Sequence, residues 1–176
     1  MNVDTKIAII LRAVPGSGKS TFCSLVKEYV KDLDISVDVF STDNKFVTSD
    51  GKYDFDATKL GAYHIENLED FKSALGKTNV VICDNTNIGH RDYRPYASSA
   101  KAKGYKVVAV VFSPDTADVH YSRNVHDVPM ATIEKMINRL SLNMDSKGVD
   151  EQFEVNPRDG APDSLYSSCI IKAIFS

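Results

Sequence analysis

The sequence predicts an α/β fold of three layers, with a short, mostly parallel sheet between helices on both faces. Three observations predict it. Short β-branched or apolar runs alternate with segments of helical periodicity along the chain, the first run empties into a glycine-rich turn that opens a helix, and the later runs end in polar residues. Such alternation means βαβ units and a parallel sheet, whose ligands bind beyond the carboxyl ends of the strands.

The first strand is Lys6 to Leu11, an apolar run too short for a helix. It leads into Ala13-Val14-Pro15-Gly16-Ser17-Gly18-Lys19-Ser20-Thr21. A strand, a glycine-rich turn ending in Lys-Ser/Thr and a helix together build a phosphate cradle from backbone N–H groups and a helix N-terminus. Pro15 to Thr21 are therefore candidate nucleotide-binding residues. Gly16 and Gly18 let the backbone approach phosphates, Lys19 reaches the β and γ oxygens, and the Ser20 hydroxyl suits Mg²⁺. The usual pattern opens with Gly, and Ala13 stands there instead.

The helix after the loop is expected from Lys19 to about Lys31, with Phe22, Val26, Tyr29 and Val30 near helical spacing. The second strand, Val37 to Phe40, ends in Ser41-Thr42-Asp43-Asn44. A carboxylate at that mouth can take a proton from an attacking hydroxyl, so Asp43 is the candidate general base, with a capping role as the alternative. Ala57 to Leu75 carries a helical stripe, and the third strand, Val80 to Cys83, ends in Asp84-Asn85-Thr86-Asn87. An acid after an apolar strand beside the phosphate loop follows the logic of a Walker B carboxylate, so Asp84 is a metal-side or substrate-orienting candidate, or else a cap. Asn85 and Asn87 offer neutral groups to a sugar or nucleotide. The next stretch, His90 to Tyr96, interleaves Arg91 and Arg94 with Tyr93 and Tyr96, which can meet a phosphate and stack a base. A solvated helix start with inward tyrosines is the competing reading.

A helix over Arg91 to Lys103 and a strand over Val107 to Phe112 follow, then the polar cluster Tyr121 to Pro129 before a helix over Met130 to Met144. A cation on such a segment can close over a nucleotide; Arg123 is the first candidate and Arg139 the second. His64 and His126 read as a helix-face and a loop histidine. Ser146 to Asp163 is polar and rich in Asp, Pro and Gly, which predicts a loop or ordered arm, and Cys169 to Phe175 reads as a last, edge strand. Residues 1–145 are expected to form the main domain and 146–176 an extension on it.

Composition narrows the partners. No apolar run nears the roughly 18 residues of a membrane span, and the N-terminus lacks a signal-peptide layout, so a cytoplasmic protein without a membrane partner is expected. Three scattered cysteines suggest neither a disulfide framework nor a CxxC site. A net charge of −3 argues against a long grip on duplex nucleic acid and leaves a short contact open. Oligomeric state is open.

Together, the loop, Ser41-Thr42-Asp43, Asp84-Asn85-Thr86-Asn87 and Arg123-Asn124-Val125-His126-Asp127-Val128-Pro129 resemble the phage-type polynucleotide 5′-hydroxyl kinase family. They are similar also to P-loop domains of the Nedd4-binding-protein type. The likeness runs from about Lys6 to Leu140 and implies a P-loop NTPase/kinase fold, ATP (or another NTP) with Mg²⁺, and a nucleic-acid 5′-hydroxyl as acceptor. By position it implies Lys19 and Ser20 at the phosphates and Mg²⁺, Asp43 as base, Asp84 and Asn85 near the acceptor, and Arg123 as lid cation. Two positions depart from the family pattern: Phe46 and His126 stand where it has arginines. A kinase of a small molecule or modified nucleotide, and a nucleotide-binding switch without transfer, remain as alternatives.

Overall fold

The central strands are buried on both faces, and successive side chains point alternately into two cores. The computed structural model describes residues 5–156 and 164–176. Its elements are β1 (Ile7–Arg12), α1 (Lys19–Val30), β2 (Val37–Phe40), a 3₁₀ turn (Asp43–Phe46), α2 (Leu60–Ala74), β3 (Val80–Cys83), α3 (His90–Ala102), β4 (Lys106–Phe112), α4 (Ala117–Ser122), α5 (Met130–Ser141), β5 (Glu151–Val155) and α6 (Ser164–Ile174). All five strands are parallel, in the order β2-β3-β1-β4-β5. Ile7, Ile9 and Leu11 of β1 face one core with Phe22, Val26 and Val30 of α1 and Ile170, Ile171 and Ile174 of α6. Ala8 and Ile10 face the other with Phe71 of α2 and Tyr93, Tyr96 and Ala97 of α3. The result is the three-layer fold expected. Among the described residues no helix is long and apolar enough to cross a membrane.

Two expectations at the C-terminal end are corrected. The stretch read as a last strand is helix α6: Ile170, Ile171, Ile174 and Phe175 are buried while Lys172 and Ala173 are exposed. That i, i+1, i+4, i+5 spacing is one helical face, which β-branched content disguised. The true edge strand is β5, inside the stretch read as a polar arm, and residues 157–163 of that stretch lie outside the described residues. β5 pairs with β4 from Val108 opposite Glu151 to Phe112 opposite Val155. Its acidic residues suit an exposed edge, where charge deters pairing with other chains, and Glu151 meets Lys106 at 2.9 Å.

β1 ends in a side chain that secures the carboxyl end of the sheet. Arg12 is 0% exposed. Its Nε donates to the Asn87 carbonyl (3.1 Å), Nη1 to the Met144 carbonyl (3.0 Å) and Ser146 Oγ (2.8 Å), and Nη2 to the carbonyls of Ile88 (3.0 Å) and Asn143 (2.5 Å). Its guanidinium also lies 5.0 Å from the centre of the Tyr93 ring. All five N–H donors are used. Burial lowers its pKa below the ordinary value, and the partners are neutral oxygens, several just beyond the carboxyl end of α5, where a cation is favoured. The residue before the phosphate loop thus ties the loop after β3 to the segment that follows α5.

Candidate active site

The loop between β1 and α1 turns through two left-handed glycines, Gly16 (φ 75°) and Gly18 (φ 88°). Ala13 is absent from the left-handed residues, which explains why the pattern's first glycine is dispensable here. Its N–H donates to the Thr86 carbonyl at 2.9 Å. Gly18 caps α1 without a side-chain hydrogen bond, so the first N–H groups of α1 remain available to an anion. A Cβ on Gly16 would lie 2.5 Å from the His120 carbonyl oxygen and 3.3 Å from Arg123 Cβ. The segment carrying Arg123, the candidate lid cation, rests directly on the loop. Gly16→Ala is therefore expected to weaken ATP binding at least about tenfold, because the left-handed conformation alone costs roughly 1–2 kcal/mol and the clash is with backbone. Calorimetric titration tests this, and an unchanged Kd would contradict it.

β3 lies between β2 and β1, so Asp84 stands between Asp43 and the loop. Ser20 Oγ donates to Asp84 Oδ2 at 3.4 Å, while Asp84 Oδ1 is buried without a hydrogen-bond partner. Burial raises the Asp84 pKa most, the Lys19 charge opposes this, and the Asp43 charge adds to it. Among the described residues, the buried side-chain N and O atoms without a partner are Ser17 Oγ, Asp84 Oδ1, His120 Nδ1 and His126 Nδ1. Ser17 is on the loop, Asp84 beside it, His120 on α4 against Gly16, and His126 on the loop after α4 beside Asp43. Buried polar groups are ordinarily satisfied, so this clustering marks a place built for a polar ligand. An oxygen pair from Ser20 and Asp84 is the hard donor set that Mg²⁺ prefers, and Lys19 with the uncapped helix end suits phosphate. These residues fit a magnesium nucleotide.

Asp43 begins the 3₁₀ turn, partly exposed at the end of β2. Its place is set by Asn85, whose Oδ1 accepts the Thr42 N–H at 2.9 Å and whose Nδ2 donates to the Tyr96 hydroxyl at 3.3 Å. Asn85 thus joins the ends of β2 and β3. Asn87 is turned inward on the backbone. It is 2% exposed, left-handed (φ 47°), and its Nδ2 donates to the Leu11 carbonyl at 2.8 Å. The block after β3 is one acid followed by structural staples. Arg91 and Arg94 share an exposed face of α3, while Tyr93 and Tyr96 are buried, so the inward reading of the tyrosines holds and the arginines face solvent without a stacking partner between them.

On the lid side the structure separates the two candidate cations. Arg139 Nη2 lies 3.5 Å from Asp92 at the start of α3. Arg123, by contrast, lines a small cleft with Ser17, Asp115 and His120, beyond the ends of β4 and β5. α4 and His120 carried no sequence signal: His120 is 2% exposed, its Nε2 accepts the Asp115 N–H at 2.9 Å, and burial lowers its pKa. The loop after α4 is pinned by Asn124, which accepts the His126 N–H through Oδ1 (3.1 Å) and donates through Nδ2 to the Val128 carbonyl (2.9 Å). Asp127 turns left-handed between them (φ 51°). This turn presents His126, whose Nε2 is 4.0 Å from Asp43 Oδ2 and whose ring packs on Tyr53 with centroids 4.5 Å apart. Phe46 is 3% exposed and packs among Tyr53, Phe55 and Tyr63. The two positions that depart from the polynucleotide kinase pattern therefore meet through Tyr53.

Comparison with known proteins places the chain. It is 33% identical over 137 residues to human NEDD4-binding protein 2, a match that covers 74% of this chain and 7% of that protein. The chain spans 7% to 12% of the length of the curated relatives it matches, which include human and mouse YLP motif-containing protein 1. Its fold is that of Chaetomium thermophilum Kti12 in complex with ADP-AlF3 (TM-score 0.68, 14% identity, 96% of this chain and 97% of that one). It is also that of a putative kinase from Chloroflexus aurantiacus (TM-score 0.69, 15% identity, 97% of each chain). The sequence resemblance to Nedd4-binding-protein domains thus meets a direct relative, and the P-loop kinase-like fold is shared with both structures. A family model described as chromatin associated protein KTI12 matches residues 8–157, and the chain belongs to that family.

Proposed function

We propose that this protein is an ATP-dependent phosphotransferase that moves the γ-phosphate to a hydroxyl, with the 5′-hydroxyl of a polynucleotide or nucleotide as acceptor. The observation that carries the reading is the convergence of Lys19, Ser20, Asp84 and Asp43 at adjoining strand ends, with one oxygen of the Asp84 carboxylate meeting Ser20 and the other buried without a partner. The ADP-AlF3 held by the Kti12 relative supports it, since that pairing is a nucleoside diphosphate with a stand-in for a phosphoryl group. On this reading residues 1–145 form the catalytic unit, and 146–176 are an extension packed on it.

In the mechanism, the backbone N–H groups of the loop and the Lys19 ammonium hold the phosphates. Ser20 and Asp84 would hold Mg²⁺, which when bound neutralises charge on the β- and γ-oxygens. Asp43 orients the acceptor hydroxyl and takes its proton as the oxygen attacks the γ-phosphorus in line with the departing β–γ bridging oxygen. Arg123 approaches from the lid and offsets the charge that builds on the transferring group.

One observation favours a second acceptor class. Lys45, the cation beside Phe46, is held by Asp70 at 2.6 Å and Glu66 at 3.6 Å, while Val47 and Phe55, on the segment after the 3₁₀ turn, and Val125, on the loop after α4, expose 47%, 52% and 81% of their surface. An apolar rim without a free lysine also suits a small molecule or a modified nucleotide. Radiolabelled ATP with magnesium, offered to 5′-hydroxyl oligonucleotides, nucleosides and small alcohols, decides. Label on an oligonucleotide or nucleotide is expected; label on a small alcohol alone selects the second class, and tight ATP binding with no label anywhere refutes transfer.

A further inference from the structure

The contact between lid and base is built from three segments distant in sequence. Asp43 opens the turn after β2, Tyr53 sits on the arm that follows, and His126 comes from the loop after α4. The arm has its own frame: Val47 bridges Tyr53, the Thr48 N–H donates to the Lys52 carbonyl at 2.8 Å, and Phe46 anchors its base. The lid loop is held by the Asn124 side chain. Two pre-shaped loops thus meet at one ring pair, whose centroids are 4.5 Å apart, with the imidazole Nε2 4.0 Å from the carboxylate. His126 and Asp43 keep 34% and 47% of their side chains exposed, so the imidazole covers one side of the carboxylate and leaves the other open.

We infer that His126, braced on Tyr53, is the positioning partner of Asp43. It docks the lid on the arm, turns the open side of the carboxylate toward the acceptor, and keeps water from the covered side, so that the γ-phosphate is not spent on hydrolysis. The inference rests on the reading of Asp43 as base. The reaction it suppresses is balanced: a water oxygen bonds to the γ-phosphorus, the bond to the β–γ bridging oxygen breaks, ADP and inorganic phosphate leave, and the water proton passes to Asp43. An imidazole beside the carboxylate competes for the oxygen that such a water needs, whereas a bulky acceptor brings its hydroxyl to the open side.

Three variants and two readouts test this on the full chain. Limited trypsin digestion without nucleotide reports lid docking through cleavage after Arg123, and phosphate release from ATP with magnesium but no acceptor reports hydrolysis. His126→Ala is expected to be cut several-fold faster and to hydrolyse ATP at least about threefold faster, with the KM for ATP unchanged. His126→Phe keeps a ring on Tyr53, so it should restore trypsin resistance while hydrolysis stays raised, a split that a purely structural role does not produce. In Asp43→Asn/His126→Ala the extra hydrolysis should vanish. Hydrolysis by His126→Ala at or below the wild-type rate, or a rise that survives loss of Asp43, overturns the inference. Failure of the parent reading shows separately, as intact phosphoryl transfer by Asp43→Asn alone.

Discussion

Asp43→Asn is expected to lower the proposed phosphoryl transfer by about 10²–10⁴-fold, the usual contribution of a positioned general base, and to leave ATP affinity nearly unchanged. Asparagine keeps the size of the side chain and removes only its ability to take a proton at neutral pH. The fold is indifferent to the change, since Asp43 is partly exposed and its position is set by the backbone bond from Thr42 to Asn85. The phosphate ligands lie on a different strand end, so the defect falls in kcat and not in the KM for ATP, the pattern expected when an interaction is made only on the way to the transition state. Steady-state kinetics with the labelled acceptor, beside a calorimetric ATP titration, measures both. Transfer within tenfold of the wild type, with folding and ATP binding intact, removes Asp43 from the mechanism.

Arg12→Met is expected to destabilise the fold strongly while leaving the phosphate loop residues themselves unchanged. Methionine fills much of the same space and spares the cost of burying a charge, an effect that can make the removal of complete buried ion pairs neutral or even stabilising. Here the acceptors stay behind. The carbonyls of Asn87, Ile88, Asn143 and Met144 and the Ser146 hydroxyl lose their donor together, and each oxygen left buried and unpaired costs roughly 1–3 kcal/mol. Even if water reaches half of them, the loss is about 2.5–7.5 kcal/mol, a fall in Tm of roughly 5–30 °C for a chain of this size. Arg12→Lys recovers little, because one ammonium has three donors and no planar fork to span both loops. Thermal melts of the two variants give the answer: a Tm within about 3 °C of wild type for Arg12→Met would show that the network is dispensable.

What the sequence by itself determined is the local chemistry. The loop from Pro15 to Thr21, the acids Asp43 and Asp84 and the parallel character of the sheet are set by contiguous residues: glycines where the backbone turns left-handed, apolar runs of strand length, and polar residues at their ends. Their conformations follow from neighbours a few residues away, so spacing alone exposes them. Arg12 is different, because its partners lie 75 to 134 residues along the chain. Asn85 and Asn87 offer the same amide groups to a substrate or to a backbone, and only packing decides which they meet. The same holds for α6, whose β-branched stretch could follow either period until a core was laid against one face, and for β5, whose polar residues suit an edge that sequence does not announce. The sequence ranks Arg123 ahead of Arg139 without showing where either side chain goes; tertiary structure sets Arg123 Cβ against Gly16 of the phosphate loop and brings Arg139 to Asp92. The meeting of Tyr53, His126 and Asp43 is likewise a tertiary decision, made where two independently braced loops close over the end of β2.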